Sequence, residues 1–354
     1  MKIAQIAPLY ESVPPQGYGG TERVIAALSD GLTARGHDVV LFAADSSSTT
    51  ATLEGHGLPL RLRMSRDELT EVAPHLHLHM LEEVYQRADE FDVVHSHVDV
   101  WTLPFTRSVA TPTVVTMHGR LDIDQVREVL PLYPDVAIVS ISDHQRRPVA
   151  EFDVRWAATV YNGLDLSAYS SSGVQRGEHL AFLGRICHEK RPDLAIEVAR
   201  RTGRGLQIAA KVDPTDVEYH QDVIEPLLGG DIRFLGEIDE SLKAGFLASA
   251  AATLFPSDWP EPFGLVMIES MAAGTPVIAL RRGSVPEVVE HGVSGFICDD
   301  VDEMVDAVGR IDEIDPEECR RQAERFDVDA MCDGYERVYR SIVGAAASAV
   351  PLTR

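Results

Sequence analysis

The chain opens on Lys2-Ile-Ala-Gln-Ile-Ala7, passes through Gly17-Tyr-Gly-Gly20, runs on from Thr21 to Arg35, and after Gly36 reaches Val39-Val-Leu-Phe-Ala43. Residues 2–7 read as a buried strand. Thr21 is a suitable N-cap, and Val24, Ala27 and Leu28 fall on one face of the helix that follows. Gly36 suits the helix end, because glycine takes the left-handed conformation found there. Residues 39–43 read as the next strand. A strand, a helix and a second strand at this spacing make a βαβ unit, hence a parallel sheet with a right-handed crossover.

The same alternation continues outward. Further strand candidates are 92–95, 113–117, 136–140 and 158–161, with helical stretches between them. Residues 166–177 are rich in serine and glycine, lack an apolar period, and read as a linker. A second alternating series then begins. Its strands are expected at 180–183, 206–210, 232–235, 253–255 and 276–279. Its helices are expected at 191–201, 215–228, 240–250 and 264–273, with short elements to Cys298. A helical tail runs from 301 to about 343, and its last part, about 330–350, is expected to cross back onto the first domain. The expected fold class is therefore α/β, with two Rossmann-like doubly wound domains at 1–165 and 178–329 joined by 166–177. Such sheets bind ligands outside the C-terminal ends of their strands. If those edges face each other, the active site is the cleft between the domains.

Composition narrows the function. At 354 residues the chain suits two domains, and 45% hydrophobic with 25% charged residues is ordinary for a globular protein. A net charge of −24 argues against a nucleic-acid partner, which needs a basic face. Arg61, Arg63 and Arg66 form a local basic patch that reads as solvated surface. No apolar run approaches the roughly 18 residues of a membrane span, so no stable membrane insertion is expected. The start lacks a secretory pattern, and Cys187, Cys298, Cys319 and Cys332 form no CxxC pair. Reduced thiols in a cytoplasmic protein are the expectation.

The chemistry concentrates in Glu261-Pro-Phe-Gly-Leu-Val-Met-Ile-Glu269. Glu261 sits in a proline-bounded turn, and Glu269 lies inside an apolar helix that opens with Gly264. The N–H groups and dipole at such a helix start attract anions. A carboxylate beside it suits a polar, neutral group such as a sugar or ribose hydroxyl. Upstream, Gly184-Arg185-Ile-Cys-His-Glu-Lys190 brings two cations to a strand end. Two cations and two carboxylates around one helix terminus suit a sugar diphosphate. Taken alone, Lys190 reads first as a surface ion pair with Glu189, and Gly19-Gly20 could equally be an ordinary turn or an anion-binding loop. The Gly19-Gly20 loop is not the dinucleotide fingerprint, which makes a nicotinamide enzyme the weaker reading.

Taken in order, the motifs resemble retaining GT-B glycosyltransferases of glycosyltransferase family 4. They are Tyr18-Gly-Gly-Thr-Glu-Arg23, Thr116-Met-His-Gly119, Tyr161-Asn-Gly163, Gly184-Arg185 with Glu189-Lys190, Phe234-Leu-Gly236, Glu261 to Glu269, and Gly274-Thr-Pro-Val-Ile278. The resemblance spans nearly the whole chain and is greatest to the branch typified by an avilamycin-pathway enzyme. It implies a metal-independent hexosyl or glycosyl transferase of the EC 2.4 type without a cofactor. The donor would be a nucleoside-diphosphate sugar, with UDP expected first and GDP or ADP as alternatives. It implies diphosphate contacts from Arg185 and Lys190, sugar hydroxyls on Glu261, and a sugar contact at His118. Donor contacts are implied at Gly19, Gly20, Gly184, Phe263, Gly264, Leu265 and Val266, with the base at Leu235-Gly236 and the ribose on Glu269. No residue reads as a nucleophile, which fits front-face transfer. The resemblance leaves the acceptor open among a sugar, a lipid-linked sugar and a metabolite.

Two other features invite competing readings. His75, His77 and His79 alternate, as do His95 and His97, and alternation on a strand would suit zinc. The first three have helical surroundings, where such a set diverges, and no metal site is expected. His95 and His97 follow a strand and are expected to line the acceptor side. Asp122-Ile-Asp124 reads as a helix start. The rival functions are a nucleotide-sugar epimerase and an inert sugar-nucleotide-binding protein of the same fold. A phosphorylase would need a cofactor lysine, and neither Lys211 nor Lys243 has the setting for one.

Overall fold

The computed structural model describes residues 1–17, 19–169, 174 and 176–349. Tyr18 of the glycine-rich motif, and residues 170–173 and 175 of the segment read as a linker, lie outside the described residues. Two compact units emerge. One comprises Met1–Pro15, Gly19–Leu164 and the chain from Val328 onward; the other comprises Asp165–Asp327 with Gln16 and Gly17.

The sheet of the first unit holds β1 (Lys2–Ile6), β2 (Asp38–Ala43), β3 (Thr52–Gly55), β4 (Val93–Ser96), β5 (Thr113–Met117), β6 (Ala137–Ser140) and β7 (Trp156–Thr159). Among the described residues their order is β3-β2-β1-β4-β5-β6-β7. Every pairing is parallel. Continuous apolar runs such as Val39 to Ala43 suit strands covered on both faces. The order reverses direction at β1 and β4, so the switch point of this sheet lies at their C-terminal ends. β3 was not foreseen. It is a four-residue edge strand, Thr-Leu-Glu-Gly, with no buried residue and so no alternation to reveal it.

The helix after the glycine loop is Gly20–Ala34, and its N-cap is Gly19, not the expected Thr21. Thr21 falls inside the first turn. With glycine at the cap, the N-cap residue has no side chain to accept from the free N–H groups there. The helix Val328–Ala349 packs on this unit. Arg35 donates to Asp333 at 2.6 Å and Asp329 at 2.9 Å. Tyr335 and Tyr339 of this helix are fully buried.

The second unit holds β8 (Leu180–Ile186), β9 (Leu206–Val212), β10 (Ile232–Gly236), β11 (Ala252–Phe255), β12 (Val277–Leu280) and β13 (Gly295–Cys298). Their order is β10-β9-β8-β11-β12-β13, again parallel, with the reversal at β8 and β11. Two expectations need correction here. The helix expected over 215–228 is broken into an α turn (Val217–Tyr219), a π turn (His220–Ile224) and a 3₁₀ turn (Glu225–Leu227). Pro226 lacks an N–H and crowds the carbonyl four residues back, which prevents a regular final turn. The start of the supposed linker is also structured: Leu166–Tyr169 forms a 3₁₀ turn, and Tyr169 is buried.

The four cysteines are buried and unbridged. No helix among the described residues is long and apolar enough to cross a membrane.

Candidate active site

In the second unit, the switch point brings together two loops that are far apart in sequence. β8 carries Arg185 near its C-terminal end and leads, one turn later, to Lys190, whose amide donates to the Cys187 carbonyl at 3.2 Å. β11 leads into the turn that carries Glu261. The Lys190 Nζ donates to Glu261 Oε2, and the two side chains are only 14% and 12% exposed. The ammonium also lies 5.4 Å from the Phe255 ring centroid and 5.7 Å from that of Trp259. Two aromatic faces and one carboxylate therefore surround it, an arrangement that favours the charged amine. The local partner Glu189 is not the one chosen.

The Glu261 turn is held rigidly. Ser284 donates its N–H to the Glu261 carbonyl at 3.0 Å and its hydroxyl to the Phe263 carbonyl at 2.6 Å. Gly283 makes this close approach possible. A Cβ there would fall 2.3 Å from the Glu261 carbonyl oxygen and 2.4 Å from its nitrogen. Gly264, at φ 83°, then turns the chain into the helix Leu265–Ala272 and again offers no capping side chain. The helix N–H groups beyond Phe263, at Leu265 and Val266, thus open at the same strand edge as Lys190 and Glu261.

Arg185 lies with its Nε 3.5 Å from Asp216 Oδ2, and burial raises the Asp216 carboxyl above its usual range. Gly184 precedes it within β8. Leu235 and Gly236 end the edge strand β10 beside a register shift, with Leu235 exposed and Gly236 at φ 74°. All of these positions share the C-terminal rim of one sheet.

Glu269 sits deeper than expected, nearly fully buried on the helix. Its Oε1 accepts a hydrogen bond from the Tyr169 hydroxyl at 2.9 Å and lies 3.6 Å from Lys243 Nζ. The same hydroxyl lies 2.8 Å from Glu240 Oε1, and Lys243 lies 3.0 Å from Glu240 Oε2. Burial, reinforced by the two carboxylates, drives the Tyr169 phenol far above its ordinary range. The sequence reading gave Tyr169, Glu240 and Lys243 no place beside Glu269. Tyr169 lay in a segment without apolar period, and the other two lie on a separate helix, Glu240–Ala248.

In the first unit, Gly19 is extended at φ 176°, so its need is spatial. A Cβ there would lie 2.8 Å from the Pro15 side chain. Gly20 is exposed at the helix start, and beside it Glu22 is buried, its carboxyl pushed up to about 7 mainly by that burial. His118 follows β5. Its Nε2 lies 2.8 Å from His97 Nδ1, and its N–H donates to Asp99 Oδ1 at 3.4 Å. Burial holds the His118 imidazole down to about 4 and raises Asp99 to about 6. Asp99, at φ 41°, carried no sequence signal.

The readings of the other histidines divide. His95 and His97 do not line a ligand surface; they are buried at 0% and 1% exposure, because their rings satisfy polar groups inside the sheet. His77, on the helix Ala73–Gln86, is a buried structural residue whose Nε2 accepts the Leu9 N–H at 2.8 Å. His79 lies 3.5 Å from Glu83. Among the described residues no group of three or more such side chains could hold a metal. Asp124 begins the helix Asp124–Val129, and Asp122 pairs with Arg120 at 2.6 Å.

Comparison with known proteins identifies the family. Residues 18–168 match the family described as Glycosyltransferase Family 4, and residues 174–326 match Glycosyl transferases group 1. A phosphatidyl-myo-inositol mannosyltransferase of Mycolicibacterium smegmatis is 26% identical over 98% of this chain and 95% of its own length. The crystal structure of AviGT4, a glycosyltransferase involved in avilamycin A biosynthesis, superposes with a TM-score of 0.73 at 26% identity, covering 97% of this chain and 98% of that one. Anabaena HepE in complex with UDP-glucose shares the fold, with a TM-score of 0.75 at 20% identity over 96% of this chain and all of that one. The chain belongs to the GT-B glycosyltransferases of the family 4 type.

Proposed function

We propose that this glycosyltransferase takes its sugar from a nucleoside diphosphate and transfers it with retention, without a metal ion. The observation that carries the reading is the Lys190–Glu261 pair at the β8/β11 switch point, beside the uncapped start of helix Leu265–Ala272. A diphosphate arriving there competes with Glu261 for Lys190. The ammonium turns to phosphate, with Arg185 and the helix N–H groups, and neutralises the charge that develops on the leaving group. Glu261, released from its partner, accepts hydrogen bonds from the sugar. Glu269 serves the ribose once the Tyr169 hydroxyl yields its place.

Retention follows from a front-face step. The bond from sugar C1 to the phosphate oxygen breaks, the acceptor hydroxyl bonds to C1 on the same face, and its proton passes to the departing phosphate. In this reading Glu261 is engaged by the sugar hydroxyls and Glu269 by the ribose, so neither is left as a nucleophile. UDP is the first choice of nucleotide, in keeping with the UDP and UDP-glucose complexes of HepE; GDP and ADP are the alternatives. The acceptor is a hydroxyl compound.

Calorimetric titration with UDP, GDP and ADP, followed by turnover of the matching sugar nucleotides in EDTA, tests the reading. Transfer or slow donor hydrolysis in EDTA is the expected result. Conversion of the sugar without an acceptor would indicate an epimerase, and tight binding without any turnover would indicate an inert binding protein.

A further inference from the structure

Behind His118, seven side chains of the first unit form one continuous hydrogen-bonded chain. His118 Nε2 meets His97 Nδ1 at 2.8 Å, and His97 Nε2 meets Gln5 Oε1 at 2.8 Å. Gln5 Nε2 donates to the Tyr339 hydroxyl at 3.1 Å. That hydroxyl meets His95 Nδ1 at 2.7 Å; His95 Nε2 meets Thr116 Oγ1 at 2.8 Å, and Thr116 meets the Tyr335 hydroxyl at 3.0 Å. All but His118 are buried, and the rings of His95 and His97 lie 4.1 Å apart.

Donor and acceptor roles in this chain are interlocked. Gln5 presents its carbonyl to His97 and its amide to Tyr339. A carbonyl only accepts, so His97 Nε2 carries a proton. His97 is neutral, since burial pushes its imidazole well below the ordinary value. A neutral imidazole has one N–H, so His97 Nδ1 is an acceptor. His118 Nε2 must therefore donate to it. His118 is neutral for the same reason, and its proton is spent inward. Its Nδ1 is left with a lone pair and makes no hydrogen bond among the described residues, and the side chain is half-buried. On the other side, Tyr339 accepts from Gln5 and donates to His95, whose Nε2–H goes to Thr116. One amide orientation thus sets the roles from His118 through His95, while Thr116 and Tyr335 can share their bond in either direction.

We propose that Gln5, acting through His97, holds His118 as its Nε2-protonated tautomer, so that the open Nδ1 accepts a hydrogen bond from a hydroxyl of the sugar ligand and turns away anionic oxygen. Gln5 is a positioning residue, because it acts on the ligand only through two other side chains. The choice of ligand group rests on the proposed transferase reading; the tautomer does not. A histidine locked this way is a hydroxyl reader, in contrast to the cationic diphosphate site of the second unit.

Long-range ¹H–¹⁵N spectra of the full chain with ¹⁵N-labelled histidine read the tautomer directly, with His118 assigned by the signals lost in His118→Gln. The expected wild-type pattern is a protonated Nε2 and an unprotonated Nδ1. In Gln5→Leu the two His118 nitrogens should move toward averaged positions, and kcat/KM should fall about tenfold. If that variant folds poorly, Tyr339→Phe, which removes the group that orients the Gln5 amide, should produce the same averaging. UDP-glucose should move the Nδ1 signal, and inorganic phosphate should not. A wild-type His118 protonated at Nδ1 would mean that the whole chain runs in reverse, and would overturn the proposal. So would an unchanged His118 pattern in both variants, or an Nδ1 signal that follows phosphate. If no nucleotide sugar is turned over while the tautomer pattern and its Gln5 dependence hold, the transferase reading fails and the Gln5–His118 linkage stands.

Discussion

Lys190 and Glu261 are 71 positions apart, yet the ammonium of one is the hydrogen-bond partner of the other at the reversal point of their sheet. Each side chain is more than four-fifths buried, so removing one leaves the other without its ion-pair partner in a poorly hydrated place. Lys190→Ala should strand the Glu261 carboxylate and destabilise the second unit by roughly 3 kcal/mol, the lower end for breaking a buried pair. Adding Glu261→Gln should restore most of that stability and none of the activity. Urea unfolding of the three variants checks this. Equal destabilisation by the single and double changes would show that the pair is not coupled.

Arg185 should separate from Lys190 in this respect. Its nearest carboxylate, Asp216, stands at 3.5 Å, a looser pairing. Arg185→Ala should therefore keep the fold while slowing transfer by ~10²–10³-fold, the scale of one preorganised charge-stabilising group. Near-normal turnover would remove Arg185 from the diphosphate site.

The two glutamates of the helix motif should differ in what they recognise. Glu269→Gln should weaken the free nucleoside diphosphate and the intact donor together, because both contain the ribose. Glu261→Gln should spare the free diphosphate and weaken the donor by roughly 10- to 100-fold, the equivalent of about 1.5–3 kcal/mol for a charged hydrogen bond. Calorimetry with UDP and UDP-glucose makes the comparison. Equal losses for both ligands in Glu261→Gln would mean that this residue does not read the sugar.

The sequence carried the fold because each element has a local signature. Apolar runs such as 39–43 and 277–280 fit strands buried on both faces, and glycines such as Gly36 and Gly264 punctuate them. The exceptions are places where local pattern and tertiary context part. β3 is an edge strand with nothing buried, and the 215–228 helix gives way around Pro226. Residues at the site were legible wherever a motif ties them to a strand end, as with Arg185, Lys190 and Glu261. Their partners were not. Lys190 finds Glu261 rather than its neighbour Glu189, and Glu269 finds Tyr169 from 100 positions away. The chain behind His118 draws on three strands, the His97 turn and the C-terminal helix, and no spacing along the sequence announces it.

Glu22 offers a test of opposite sign to most carboxylates. Burial raises its carboxyl from the ordinary value of 4.5 to about 7. Between those values the folded state holds the proton more tightly than the unfolded chain. Its contribution to stability is therefore present at low pH and is lost as pH rises through about 7. Glu22→Gln should match the wild type near pH 4.5 and exceed it at pH 8, by up to roughly 3 kcal/mol. Urea midpoints at the two pH values measure it. A variant less stable than wild type at pH 8 would mean that the carboxylate is well accommodated.

The buried histidines respond in the other direction. His95, His97 and His118 are held neutral, their imidazoles depressed from 6.5 by burial. The unfolded chain takes up protons on all three as pH falls below 6.5, while the folded unit does not. Their stabilising contribution is thus present above 6.5 and is lost on acidification below that value, for His118 down to about 4. At pH 5.5 the three together should cost the first unit roughly 4 kcal/mol relative to pH 7.5. The measurement belongs in the Glu22→Gln background, which removes the larger opposing linkage and leaves that of Asp99, raised to about 6. Urea unfolding followed by tryptophan fluorescence suits it, because Trp101 and Trp156 both lie in this unit. Constant stability between the two pH values would show that the chain accepts protons without breaking. In that case His97 would have two N–H groups, and Gln5 could no longer dictate which nitrogen of His118 faces the ligand with a lone pair.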